Sequence, residues 1–169
     1  MLTRHTHPVD LTELMNLHAP SLHRYAARLL CDADTARDIV QQVFIRLSQL
    51  GESKQPAPGA AKSWLYRCTH NLAVDTIRAE QRRKKLHEEH VRRKSLDQST
   101  PSSGKLEQVL HLIDRLDEKS KSVLLLRLQE GLSYREIAQT TGLKDGHVGY
   151  LLHHAVRQLT EWLQEEDRA

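Results

Sequence analysis

Two kinds of side chain in this sequence could do covalent or metal chemistry. There are eleven histidines, which can ligate metals, and the carboxylates of Asp34 and Asp38 stand one helical turn apart, as a general acid–base pair can. The adjacent His153 and His154 point in different directions on a helix, however, and a carboxylate pair on an exposed helix is more often a solvated or partner-binding face. Neither a phosphate-binding glycine loop nor a nucleophile elbow is present in the sequence. We therefore expect no catalytic residue, no metal site and no cofactor, and predict that the protein is not an enzyme.

The uneven charge points instead to polyanion binding. The chain has a formal net charge of +3 and a pI near 9.0, but Arg78–Lys94 alone holds eight basic and three acidic residues, whereas Glu161–Ala169 is acidic. A basic stretch of this kind is typical of a nucleic-acid partner. A solvated helix face explains it equally well, so charge alone leaves both interpretations open.

The composition predicts an all-α fold. Leu, Ala, Gln, Glu, Lys and Arg dominate, and β-branched residues are sparse. We expect two small helical domains, residues 9–94 and 105–163, joined by a flexible linker at 95–104 that is rich in Ser, Pro and Gly.

The sequence also indicates a cellular compartment. It contains no apolar run long enough to cross a membrane, and its first ten residues lack the apolar segment of a secretory signal. Cys31 and Cys68 form no CxxC pair, which fits a reducing cytoplasm, and both are expected to be small core residues.

Helix-terminating signals divide the first domain. Asp10 is predicted to cap a first helix, which Pro20 would kink. Asp32 or Asp34 would cap a second helix, and Ser63–Lys94 is predicted to form one long helix whose polar second half leaves the core.

The second domain contains the pattern of a helix-turn-helix. Ser133 and Glu136 form a capping box, and Gly142 suits the left-handed residue that ends a helix. The buried face of the following helix is predicted to consist of Val148, Leu151, Leu152, Ala155 and Leu159. An ordinary corner between two bundled helices is the alternative; the Ala, Gly and apolar residue around the turn favour DNA binding.

Three segments resemble one family. RYAARLLCDADTARDIVQQVFIRL and SWLYRCTHNLAVDTIRAEQRR are similar to region 2 of bacterial sigma-70 transcription initiation factors, and LDEKSKSVLLLRLQEGLSYREIAQTTGL is similar to the start of region 4. The two-domain layout resembles the extracytoplasmic-function (ECF) subgroup. The resemblance covers roughly residues 9–163 and implies a factor that binds core RNA polymerase and directs it to promoters.

The resemblance also implies roles for individual residues of region 2. Polymerase docking falls on Asp34, Asp38 and Gln41. The loop at 51–62 stands where the family flips a base of the non-template strand into a pocket. Contacts to the minus-ten element fall on Arg67, His70, Asn71, Arg78, Arg82, Arg83, Lys84 and Lys85. Asparagine can pair with a base edge, while arginine binds phosphates and stacks on bases.

The predicted recognition helix departs from the family pattern. Gly149 and Leu151 stand where a Lys and an Arg are common, and Arg157 is the one fixed positive charge between Gly146 and Leu159. The resemblance assigns minus-thirty-five contacts to Tyr134, Lys144, His147, Tyr150, His153, His154 and Arg157. We expect weak electrostatic affinity for that element, and binding through histidines would strengthen at lower pH.

Two other functions remain open at this point. One is a helix-turn-helix regulator that acts without polymerase, and the other is a sigma-like adaptor that has lost promoter reading. The partners expected for the leading interpretation are core RNA polymerase and promoter DNA, with an anti-sigma factor as a further candidate, in the cytoplasm of a bacterium at its nucleoid.

Overall fold

The computed structural model describes residues 10–88, 105–166 and 168. All regular structure in these ranges is helical, which confirms the all-α prediction. The first module contains α1 (Leu11–Leu30), α2 (Ala33–Gln49) and α3 (Ala61–Glu88). The second contains α4 (Lys105–Asp114), α5 (Glu118–Leu128), α6 (Tyr134–Thr141) and α7 (Asp145–Glu166).

Helix α1 runs unbroken from Leu11 to Leu30 with Pro20 inside it, and the kink expected at Pro20 stays a prediction. Asp10 caps the helix as predicted, because its carboxylate accepts hydrogen bonds from the backbone N–H groups of Thr12 and Glu13. Proline removes one backbone donor but has a helical φ. Packing on both sides of Pro20, by Leu14 before it and Leu22 after it, keeps the helix continuous.

The turn between α1 and α2 has two well-defined backbone features. Asp32, not Asp34, caps α2, since its Oδ1 accepts from the N–H groups of Asp34 and Thr35. Cys31 ends α1 in the left-handed conformation, with φ of 55°. The expectation of a core position is wrong for Cys31, which is exposed, whereas Cys68 is half-buried and packs against the core. The Sγ of Cys31 lies 3.5 Å from Oδ1 of Asp114 and 3.2 Å from Nζ of Lys121.

Helix α3 has a buried half and an exposed half. It begins at Ala61, two residues before the predicted start, and is described as far as Glu88. Leu65, Tyr66 and Ala73 are buried, whereas every described side chain from residue 80 to 86 is exposed. The structure thus confirms that the polar half leaves the core; the predicted end at Lys94 and the predicted linker 95–104 lie outside the described residues.

The second module has the local geometry of a helix-turn-helix. Ser133 and Glu136 form both hydrogen bonds of the capping box. Gly142 ends α6 with φ of 73°, and its N–H donates to the carbonyl of Ala138. The five predicted core positions of α7 are all buried.

The two modules share one apolar core. Helices α1 and α3 pack against α5 and α6, and buried residues of both modules belong to a single cluster. Division into two domains that fold separately therefore remains a prediction from the sequence. Within the described ranges, no helix is both long and apolar enough to cross a membrane.

Gly142→Ala should destabilise the protein by about 1 kcal/mol, because a left-handed φ is costly for any residue with a Cβ. No atom lies within 4 Å of the added methyl group, so the cost arises from the backbone alone. Gly146→Ala is the matched control, since it meets equally open space inside α7 and alanine favours helix. Urea unfolding of both variants checks this; equal stability of Gly142→Ala and wild type would contradict it.

Candidate nucleic-acid and polymerase interfaces

The predicted polymerase-docking residues lie together on the outer face of α2. Asp34, Asp38 and Gln41 are all exposed, while Val40 and Val43 bury the opposite face. The helical repeat produces this division, because residues three or four apart share a face. The result is a polar face on a helix that its own core holds rigidly.

An apolar groove borders this polar face and was not predicted from the sequence. It lies between α1 and α2, has a volume of about 480 Å³, and Met15, Gln41, Phe44 and Ile45 are among its lining residues. Met15 and Ile45 are 43% and 46% exposed, which is high for such apolar side chains. The sequence signal for this groove was one apolar residue on each helix, Met15 on α1 and Ile45 on α2, that lies outside the buried face. A surface that combines carboxylates with exposed apolar side chains is more typical of contact with a partner protein than of full exposure to water.

Five predicted DNA contacts form one exposed stripe on α3. With 100° of rotation per residue, the members of this stripe lie within about 60° around the helix axis. All are exposed; they are Arg67, Asn71, Arg78, Arg82 and Lys85. We call this set the α3 stripe.

Arg83 and Lys84 are exposed but lie off the α3 stripe. Successive residues surround a helix, so four in a row cannot all face one strand of DNA. The run of basic residues therefore separates into Arg82 and Lys85 on the stripe and two residues on other sides.

His70 lies in the protein interior, so its predicted role as a DNA contact does not fit the structure. The side chain is 7% exposed, and its Nδ1 shares a 2.8 Å hydrogen bond with the hydroxyl of Tyr25. The cause is helical spacing, since residue 70 follows the buried Tyr66 by four positions and shares its inward direction. Burial, and secondarily the charge of Arg78, lowers the pKa of His70 to about 4, so the imidazole is neutral at pH 7.

The loop before α3 consists mainly of two short 3₁₀ turns, Glu52–Lys54 and Pro58–Ala60. The second turn leads directly into Ala61, the first residue of α3. The loop therefore lies at the amino-terminal end of the helix that carries the α3 stripe.

On the second module, all seven predicted contacts are exposed. The rings of His147, Tyr150 and His154 stack along α7, with centroids 6.0 and 5.9 Å apart. Arg157, the one arginine there, pairs with Glu161 at 3.2 Å. The outer face of α7 is therefore aromatic and polar, with little free positive charge.

Gly149 has a packing role that the sequence did not reveal. A Cβ at this position would stand 3.5 Å from the ring of Tyr134. The guanidinium of Arg127 lies over the same tyrosine ring, 5.6 Å from its centre. The small residue thus lets Tyr134, at the start of α6, lie against α7. Through its contact with Tyr134, Arg127 also belongs to this surface. The sequence signal for this packing is the lack of a side chain at Gly149, which we interpreted from the sequence as the loss of a positively charged residue.

No group of three or more metal-ligating side chains is arranged around a common point in the part of the chain that the structure describes. What these three surfaces offer is binding chemistry: a mixed polar and apolar face on α2, a basic stripe on α3 and a helix-turn-helix in the second module. This combination defines a transcription factor that contacts both a protein and a nucleic acid.

Comparison with known proteins identifies the family. Residues 14–83 match the model for sigma-70 region 2, and residues 106–159 match that for sigma-70 region 4. The chain is 32% identical over 166 residues to the ECF RNA polymerase sigma factor SigL of Mycobacterium tuberculosis, covering 90% of this chain and 88% of SigL. It is also 32% identical over 161 residues to the ECF sigma factor SigE of Mycolicibacterium smegmatis, covering 89% of this chain but only 60% of SigE. The chain belongs to the sigma-70 family of RNA polymerase sigma factors, in its ECF subgroup.

The fold agrees with this assignment. The sigma factor RpoE of Bartonella quintana, solved in complex with the anti-sigma factor NepR, superposes with a TM-score of 0.72 at 21% identity, covering 92% of this chain and 97% of RpoE. Family membership confirms the function expected from the motifs, which is to direct transcription initiation, and it removes the support for a regulator that acts without polymerase.

The buried His70 should make the protein less stable in mild acid. Its pKa is about 4 in the folded protein and near 6.5 in the unfolded chain, so between these values only the unfolded chain takes up the proton. Stability should therefore fall as the pH falls, by about 2 kcal/mol between pH 7 and pH 5 from this group alone. Urea unfolding at both pH values measures it.

His70→Gln is the matched control, because its amide can bond the Tyr25 hydroxyl but does not titrate. Its loss of stability between pH 7 and pH 5 should be smaller by that amount. The pKa values of His18 and His23 are also lowered, mainly by burial, but both residues are present in each protein and cancel in the comparison. Equal losses would show that His70 is not a neutral buried group.

Proposed function

We propose that this sigma factor docks on core RNA polymerase through the outer face of α2, reads and opens the minus-ten element with the α3 stripe, and contacts the minus-thirty-five element with α7. The observation that carries the proposal is the alignment of five polar residues along the exposed side of α3. The protein supplies binding and positioning and no catalytic step of its own. Its place of action is the cytoplasm, at the nucleoid, where polymerase meets chromosomal DNA.

The α2 surface supports the docking step. Asp34, Asp38 and Gln41 present acceptors to a partner, and Met15 and Ile45 supply apolar area beside them. An apolar centre next to polar groups is the usual composition of a protein–protein interface. A rigid helical element of polymerase is the kind of partner that fits a groove between two helices.

The α3 stripe supports the DNA step. Arg67 and Asn71 lie one turn apart near the loop at 51–62, where a flipped base would be held at a cost of a few kcal/mol of lost stacking. Arg82 and Lys85 continue the stripe over two further turns and can bind phosphates, which adds affinity without sequence information. Specific contacts therefore lie at one end of the stripe and non-specific contacts at the other.

The outer face of α7 supports a less electrostatic contact with the minus-thirty-five element. The stacked rings of His147, Tyr150 and His154 offer apolar and hydrogen-bonding contacts to base edges in the major groove. Lys144, Tyr134 and His153, all exposed, flank these rings. An anti-sigma partner is also proposed, supported by the complex in which the RpoE fold was solved.

Substitutions on α2 and α3 should produce different defects in transcription. The double variant Arg67→Ala/Asn71→Ala should lose initiation at least about tenfold, because a good base contact contributes about 1–3 kcal/mol, and should keep its affinity for core polymerase. Asp38→Ala/Gln41→Ala should lose polymerase binding itself. The assay is transcription by core polymerase on a supercoiled genomic library with the RNA starts sequenced, alongside a binding titration. Normal initiation by the α3 variant would contradict the proposed reading of DNA.

The two sides of the basic run should differ in their effect on salt dependence. Arg82→Gln/Lys85→Gln removes two charges from the α3 stripe. It should reduce the slope of log affinity for single-stranded DNA against log salt by about 1.4, at about 0.7 for each lost phosphate contact. Arg83→Gln/Lys84→Gln has the same net charge and should change the slope much less. Equal slopes for the two variants would show that the stripe does not define the DNA path.

A further inference from the structure

A thiol and an amine are in contact at the point where α1 meets α5. Cys31 ends α1, and its Sγ is 3.2 Å from Nζ of Lys121 on α5. The two residues are 90 positions apart in the sequence, so the packing of α1 against α5 is what brings them together. Two nucleophilic atoms at this distance can be joined by one bond once the sulfur has been oxidised.

Asp114 on α4 holds this pair in place. Its Oδ1 is 2.8 Å from Nζ of Lys121 and 3.5 Å from Sγ of Cys31, so one carboxylate oxygen contacts both atoms. Its Oδ2 accepts a 2.9 Å hydrogen bond from the guanidinium of Arg28. Because both oxygens are engaged, the carboxylate is fixed, and it fixes the lysine nitrogen beside the sulfur.

The two cysteines differ in their access to an oxidant. Cys31 is exposed, and the ammonium of Lys121 and the guanidinium of Arg28 belong to the cluster around it. An exposed thiol next to positive charge is the kind that peroxides oxidise. Cys68 is half-buried, and burial raises the pKa of its thiol, which disfavours the reactive thiolate.

The nitrogen is as well placed as the sulfur. The side chain of Lys121 is only 6% exposed, so its amine does not sample the many positions open to a surface lysine. Burial and the ion pair with Asp114 keep Nζ within reach of one sulfur. The arrangement is therefore an accessible sulfur with a held nitrogen behind it.

The reaction balances with hydrogen peroxide as the oxidant. In the first step the thiol and H₂O₂ give a sulfenic acid and water, so the sulfur loses two electrons and the peroxide gains them. In the second step the nitrogen lone pair of Lys121 attacks the sulfur; the S–N bond forms, the S–O bond breaks and hydroxide leaves. The ammonium loses two protons, one to the hydroxide as water and one to solvent. Oδ1 of Asp114 is positioned to accept them in turn.

We propose that peroxide joins Cys31 to Lys121 through a covalent bond between Sγ and Nζ, a sulfenamide that links α1 to α5. This is a modification site separate from the binding surfaces on α2, α3 and α7. A thiol reductant breaks the bond and restores the thiol and the amine. The link is thus a reversible record of oxidation within the protein.

Peptide mapping of the full-length protein by mass spectrometry tests the bond directly. After peroxide treatment, the peptides that contain Cys31 and Lys121 should be found joined, with a mass about 2 Da below the sum of the two, since two hydrogens are lost. Dithiothreitol should separate them. The same treatment in concentrated urea should leave the peptides separate, because unfolding removes the contact.

Thermal unfolding provides a second readout. A cross-link between residues this far apart restricts the unfolded chain, so it should raise the Tm of the peroxide-treated wild type by about 10 °C. Cys31→Ser, a change at an exposed position, should show neither the joined peptides nor the rise. Lys121→Arg keeps a positive charge beside Asp114 but lacks the amine, and should also stay unlinked. Cys68→Ser is the matched control, which should link as the wild type does.

Four results would overturn the proposal. The first two are peptides that stay separate in treated wild type and a dimer joined by a disulfide through Cys31. The third is loss of the link in Cys68→Ser, which would identify the cross-link as a disulfide between the two cysteines. The fourth is a set of joined peptides without a higher Tm, which would show that the bond formed in unfolded molecules. These measurements use neither DNA nor polymerase, so they stand apart from the tests of the proposed function.

Discussion

The constraint on which this structure depends is the 100° rotation per residue of a helix that must bury one side only. In α3 it directs Tyr66 and Ala73 into the core and leaves Arg67 and Asn71 in solvent. The same division on α2 separates Val40 from Asp38. Helices α2 and α3 thus each present a second, polar face to solvent. The function of a sigma factor depends on surfaces of this kind, which the core holds rigid.

A second feature of the structure is that both apolar and polar contacts join the two modules. Buried apolar residues of both modules form one cluster and supply most of the stability of this packing, whereas paired charges are close to neutral in net stability. Arg28 pairs with Asp114 across the modules, and the neutral hydroxyl of Tyr66 donates to the carboxylate of Glu130. Within the second module, Lys121, whose side chain is 6% exposed, pairs with the same Asp114 at 2.8 Å. Such an interface is specific in geometry and sensitive to competing charge.

Much of the local structure was predictable because its causes are local. Asp10, Ser133 and Gly142 act within a few residues of themselves, so their roles as caps follow from residue type. The core positions of α7 follow from periodicity alone. Where local signals competed with packing, prediction failed. Cys31 was expected in the core, but it ends α1 in the left-handed conformation and is exposed.

The candidate site divides in the same way. The motifs revealed the family, and the helical repeat placed most of the α3 stripe. His70 was misassigned because its type suggested DNA contact, while its place beside Tyr25 depends on a second helix. The groove at Met15 and Ile45 was missed because two helices must come together to form it. Burial of a polar group and the shape of a groove are properties of pairs of elements, and no single segment contains them.

The sequence by itself therefore determined the helices, their caps, the direction of each face and the family, since all of these depend on residue type and on spacing of a few positions. Only the tertiary structure decided which charges meet across the modules, that Glu118 holds Arg78, and that Glu130 is buried with one oxygen unpartnered. The physical reason is that these contacts join residues 40 or more positions apart, whose approach depends on how whole helices pack and not on any local pattern.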